Sequence, residues 1–114
     1  MAYAAYTKGS TALLCAVLAA AEGLGVRADL EGHWALEDPT SPGRAEGRVR
    51  GVTAKAWRFA GEMDEIAATF RSAGLPGEFH AAAAEIYRRI SGFKDAQALP
   101  ALENVLRALR QKND

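Results

Sequence analysis

Apolar residues fall along this chain in runs with helical spacing, and the first run is the longest. No charged side chain occurs between Lys8 and Glu22, and residues 3–25 are otherwise Ala, Leu, Val, Tyr, Cys, Ser, Thr or Gly. A helix that is apolar on every side is one that other helices surround, so this run predicts a central, buried helix. Ala12, Ala16, Ala19 and Ala20 are expected to let neighbouring backbones approach, and Leu13, Leu14, Val17 and Leu18 to fill the space between. Gly23 and Gly25 end the run, because glycine adopts the left-handed conformation that closes a helix C-terminus.

The later runs are shorter and one-sided. Residues 26–36 place Val26, Leu30, Trp34 and Ala35 on one helical face. The turn-rich segment 37–43, with two prolines and a glycine, interrupts the pattern. Ser41 and Pro42 suit the N-cap and first turn of a third helix through Arg50. Its one strong apolar anchor is Val49, which predicts a solvent-facing element of low stability. Thr53 has the chemistry to cap a fourth helix over 53–72. There Trp57, Ala60, Met63, Ala67 and Phe70 recur every three or four residues, with Phe59 and Ile66 on the adjoining stripe.

Gly74-Leu-Pro-Gly77 ends that helix. A fifth follows over 78–90, with Phe79, Ala83, Ile86, Tyr87 and Ile90 expected inward. After a break at 91–95, a last amphipathic helix over 100–110 aligns Leu102, Val105, Leu106 and Leu109, and a polar tail follows. No stretch alternates apolar and polar residues in the manner of a strand. The expectation is one all-α domain spanning 1–114: five to six helices packed around a buried N-terminal helix.

Two other readings compete for residues 3–25. A membrane-spanning helix needs roughly 20 apolar residues, and Lys8 and Glu22 cut this run short. A secretory signal peptide has a short apolar core like TALLCAVLAAA, but here the segment before that core carries Tyr3, Tyr6 and a single positive charge. Cys15 is the only cysteine, so the chain forms no internal disulfide of the kind exported small domains often use. Set among aliphatic residues, Cys15 reads as a buried, inert thiol. These features favour a cytoplasmic protein with no membrane partner. Fourteen basic and fourteen acidic side chains give zero formal charge, which argues against a nucleic-acid binder, since such domains usually carry a basic excess.

Candidate chemistry is sparse. His33 and His80 lie far apart, neither has a second ligand at metal-binding spacing, and each reads as a partly exposed structural histidine. The most unusual mixture is AKAWRFAGEMDE over 54–65. Trp57, Gly61 and Asp64 share one helical face, and Arg58, Glu62 and Glu65 share the next. Either Trp57 is core while Arg58 and Glu62 pair on the surface, or Trp57 and its neighbours line a pocket for a small anion, with Lys55 or Arg58 supplying charge. Lys8 either extends its ammonium to solvent or points into a polar site at the end of the first helix.

The segments MAYAAYTKGSTALL, AKAWRFAGEMDEIAATFRSAGLPGEFH and AAAEIYRRISGFKDA together resemble the C-terminal helical domain of NAD(P)-dependent dehydrogenases. These belong to the 6-phosphogluconate dehydrogenase and β-hydroxyacid dehydrogenase superfamily, and the likeness is to a subgroup often described only as a domain of unknown function. It covers roughly residues 1–95. In that superfamily an N-terminal Rossmann domain holds NAD or NADP, and the helical domain supplies the substrate pocket and the dimer contacts. Matching helix ends at Gly25 puts the superfamily's catalytic lysine just upstream of Met1, and the asparagine that follows it at Ala4, a departure from the pattern. A Lys-Asp pair of the superfamily falls on Asp64 and Glu65, a second departure.

The resemblance brings Trp57 and Phe59 near the pocket and makes Lys94 and Asp95 structural. It implies a hydroxyacid substrate and a homodimer; taken with the reading of the residues above, the expected substrate-binding set is Lys8, Trp57, Arg58 and Asp64, although the departure at Asp64 speaks against simple carboxylate binding there. The chain is expected to hold no catalytic residue, metal ligand or cofactor-binding residue of its own, since its sequence lacks the glycine fingerprint of a dinucleotide fold. It is therefore expected to be inactive alone. A non-enzymatic helical module that self-associates is the alternative.

Overall fold

The computed structural model describes residues 1–111, and in them every regular element is helical. The order is α1 (Ala2–Gly23), α2 (Arg27–Glu37), α3 (Ser41–Val52), α4 (Ala56–Ser72), α5 (Glu78–Arg89), a single 3-10 turn at Ser91–Phe93, and α6 (Leu102–Leu109). The polar tail expected after Arg110 lies, beyond Gln111, outside the described residues. At 1.5 Å per residue α1 is roughly 33 Å long. It runs through a body of 40 × 33 × 23 Å, so each of the other five helices reaches it.

The expected helix ends have a clear cause at two glycines. Among the described residues Gly25 and Gly74 are the two with positive φ, at 75° and 83°. After α1, the N–H of Val26 bonds Ala21 O and that of Gly25 bonds Glu22 O; after α4, Leu75 bonds Phe70 O and Gly74 bonds Arg71 O. Both are the paired closure that a left-handed residue permits. The start of α4 differs from expectation. Thr53 does not cap α4, which begins at Ala56 behind Lys55. It closes α3 instead: its buried hydroxyl donates to Arg50 O at 2.6 Å, satisfying a carbonyl at the end of that helix.

The core is continuous across all the helices except α2, which rests on it through Leu30 and Trp34. Cys15, Leu18, Val49, Met63, Tyr87, Ile90 and Leu106 are fully enclosed. Cys15 is the buried thiol the sequence suggested, and burial pushes its pKa up to about 12. α3 has Ala45 as a second buried anchor beside Val49. All four apolar positions read for α6 are buried. Two arginines hold that helix at its ends: Arg50 donates to Pro100 O at 2.8 Å, and Arg89 to Leu109 O at 3.0 Å.

Three expectations about burial are corrected. α1 packs against every other helix, but only along one side, and Leu13 is 64% exposed with Val17 and Ala20 also at the surface. By length and composition α1 is also sufficient to cross a membrane, so on that measure the run does not fall short. On α5 and at its C-cap, Ala83, Tyr87 and Ile90 face inward as expected, but Phe79 is 77% exposed and His80 is buried instead. His80 wins the interior place because its Nε2 meets Ala5 O at 2.9 Å and its ring packs on Phe70, with centroids 4.6 Å apart. A carbonyl only accepts, so Nε2 carries the proton. Gly9 makes room for this contact, since a Cβ there would stand 3.1 Å from Nε2. Trp57, third, is not core: it is 47% exposed, with the Lys94 ammonium 4.1 Å above its ring.

Candidate functional site

The polar centre of the molecule forms where α1, α4 and α5 meet. Lys8 lies in the middle of the buried side of α1, an apolar stripe interrupted by one long cationic chain. Its ammonium bonds Glu62 Oε2 of α4 at 2.5 Å, with the two side chains 27% and 36% exposed. It also stands 4.1 Å over the face of Phe59, where the ring quadrupole attracts a cation. The carbonyl of the same residue accepts the Tyr87 hydroxyl of α5 at 2.5 Å. Tyr87 in turn meets Phe59 edge-on at 5.6 Å. Burial drives the Tyr87 phenol well above its ordinary pKa, so it acts as a neutral donor.

One turn along α1, Thr11 accepts a bond from the Arg48 guanidinium of α3 at 2.9 Å. Arg48 has no carboxylate within ion-pair distance among the described residues. With Arg44, Ser41, Trp34 and Leu14 it lines a cleft of about 210 Å³. Arg44 is already committed: its guanidinium bonds Asp38 Oδ2 at 2.7 Å and Thr40 Oγ1 at 2.9 Å. Bonds from the side chain and backbone of Thr40, then from Arg44, hold Asp38 down at about 2.

The four residues suggested for substrate binding do not form one cluster. Lys8 and Arg58 share the Phe59 ring, Arg58 at 5.5 Å from its centroid. Trp57 and Asp64 lie on the opposite flank of α4, roughly 140° around the helix from Glu62 for Trp57. There Asp64 pairs with Arg88 of α5 and Trp57 with Lys94. Arg58 and Glu62 do not form the surface pair considered, because Glu62 turns to Lys8. Lys55 is exposed ahead of α4. The partners that sequence reasoning missed, Glu62 and Tyr87, stand 54 and 79 positions from Lys8. The available signal was the lone charge on an otherwise apolar stripe, which requires a partner from elsewhere in the fold.

The Lys8–Glu62 pair is about a third exposed, so its worth to the fold is modest. A double-mutant cycle of Lys8→Met and Glu62→Gln, read by urea unfolding, is expected to give a coupling of about 0.5–1 kcal/mol. A coupling of zero would mean that the short contact contributes no stability.

A family model described as Domain of unknown function (DUF1932) matches residues 21–90, more than half of the chain. The chain belongs to this family. The match begins near the end of α1 and stops at the end of α5, so it takes in Glu62, Phe59 and Tyr87 but leaves out Lys8 and all of α6. No curated protein and no solved structure matches the chain significantly. The DUF1932 match therefore identifies a lineage, and the chemistry rests on the residues.

Proposed function

We propose that this chain is the substrate-pocket and dimerisation domain of an NAD(P)-dependent β-hydroxyacid dehydrogenase-like oxidoreductase, a cytoplasmic enzyme whose cofactor is held by a Rossmann domain outside the chain. Membership of DUF1932 and the resemblance of the three segments over 1–95 support this reading. The observation that carries it is the placement of Lys8. A catalytic lysine just ahead of Met1, Ala4 and Lys8 would follow one another at intervals of four along a single stripe of α1. Lys8 then stands roughly 12 Å further along that stripe, half-buried and fixed by Glu62 and Phe59.

In this reading Lys8 and Arg58 supply positive charge beside the carboxylate of a hydroxyacid, Glu62 and Phe59 orient the lysine, and Tyr87 anchors α1 to α5. Trp57 and Asp64, on the other flank of α4, contribute only if the pocket wraps that helix. The cofactor would supply hydride acceptance. The residues present do not fit it: Gly25 and Gly74 follow helix C-termini, whereas a dinucleotide phosphate is held at a helix N-terminus. No step of the transfer is assigned to this chain.

The test compares NADH and NADPH fluorescence titrations of this chain with those of the protein encoded when the reading frame is extended upstream. The expected result is no binding by the chain alone, and binding with hydroxyacid-dependent turnover by the extended protein. Lys8→Met in the extended protein is expected to raise KM at least tenfold. An upstream frame without a dinucleotide domain, or an extended protein that ignores both cofactors, would overturn the proposal. The second reading, a self-associating module without enzymatic activity, draws on one observation, the exposed apolar side of α1.

A further inference from the structure

The solvent side of α1 is not a scatter of apolar residues. Tyr3, Tyr6, Ser10, Leu13, Val17, Ala20 and Leu24 follow one another at alternating steps of three and four. That spacing averages 3.5 residues, the repeat that keeps one helix seam facing another. Tyr3, Tyr6, Leu13 and Leu24 are 83, 77, 64 and 77% exposed, and no position on the seam is charged. The flank toward α5 carries the small residues Gly9 and Ala16, Gly9 already lying against His80 of the same chain. Along the Gly9–Ala16 part of that flank an open groove of about 510 Å³ runs between α1 and α5, walled on the far side by Phe79.

We propose that this seam joins two copies of the chain, antiparallel, about a two-fold axis between Thr11 and Ala12. This names the surface of the dimer proposed above and rests on that part of the reading. The order of residues fits the pairing. Turned end for end about that axis, Tyr3 meets Ala20, Tyr6 meets Val17 and Ser10 meets Leu13, so each layer sets a larger side chain against a smaller one. A contact of this kind is its own complement, as a two-fold interface requires. The available area also suits a second copy. The rings of Tyr3, Tyr6 and Phe79 expose roughly 150 Å² each. With Leu13, Val17 and the small residues the surface comes to on the order of 700 Å² per copy, close to the ~800 Å² each partner gives to a standard interface.

Light scattering on the purified chain is expected to give twice its 12.1 kDa mass. Leu13→Asp should return a monomer with unchanged helicity and unfolding midpoint, since Leu13 is outside the core. The orientation is read by cysteine linking, with Cys15 enclosed and unreactive. Chains carrying Tyr6→Cys mixed with chains carrying Val17→Cys should form the mixed disulfide, and Tyr6→Cys alone should not link to itself. A monomeric chain would overturn both the dimer and the seam. A dimer indifferent to Leu13→Asp would overturn the seam and leave the dimer standing. Self-linking of Tyr6→Cys would overturn the antiparallel arrangement.

Discussion

Replacing Tyr87 with alanine is expected to lower the unfolding free energy by about 3–5 kcal/mol, the range for truncating a large buried aromatic. Tyr87 is the largest fully enclosed side chain. Its ring closes on Phe59 of α4 and its hydroxyl on the Lys8 carbonyl of α1, so the cavity would open where three helices meet. A domain of this size has roughly 5–15 kcal/mol in total, and the variant should be partly unfolded at 37 °C. Tyr87→Phe isolates the hydroxyl. It keeps the packing and is expected to cost about 1 kcal/mol. Urea midpoints of the two variants check the difference. A Tyr87→Ala protein as stable as the parent would mean that the interior readily collapses around the gap.

The second large effect is expected at Gly77, the residue before α5. Its φ of −89° is ordinary for any amino acid, so the need for glycine is purely one of space. A Cβ at this position would lie 2.7 Å from Ala67 O and 2.7 Å from the Arg71 guanidinium. The arginine has room to swing away; the carbonyl belongs to the backbone of α4 and does not. Gly77→Ala should therefore force α4 and α5 apart, at a cost of about 2 kcal/mol, as for other overpacking changes. Gly61→Ala is the contrasting variant. Gly61 sits inside α4 with nothing within 4 Å of its would-be Cβ, and alanine there should raise stability by about 0.5–1 kcal/mol through helix propensity. Thermal unfolding of both variants would show opposite shifts, and a neutral Gly77→Ala would mean that the α4–α5 approach is looser than it looks.

The fold was legible where apolar residues were large and their spacing unambiguous. Leu102, Val105, Leu106 and Leu109 could face only one way, and all are buried. α5 was harder to read, because its apolar arc is wide and alanine-rich. Phe79 and Ile86 lie at the margin of that arc, and the interior position went to His80, whose ring finds Ala5 O across the helix interface. No local pattern announces an acceptor 75 residues away. α1 misled for a related reason: charge-free sequence looks the same whether it faces a core or a second surface, and only the 3.5-residue step of its outer residues tells the two apart. The polar centre was half legible. Lys8 was conspicuous on its own, but its partners Glu62, Phe59 and Tyr87 come from helices that only the completed packing brings to it.

The position of α1 in the chain also has a consequence in time. Among the described residues it is the helix long and apolar enough to cross a membrane, and it is synthesised before the helices it rests on most heavily, α5 and α6. About 80 residues separate Gly23 from Leu102. At ribosomal rates of roughly 5–20 residues per second this leaves α1 without its main seat for about 4–16 s. For that interval its apolar side lacks the surface that covers it in the finished fold. Lys8 and Glu22 bracket its apolar run. In the finished fold they become the anchors to α4 and α2, through Glu62 and Arg27.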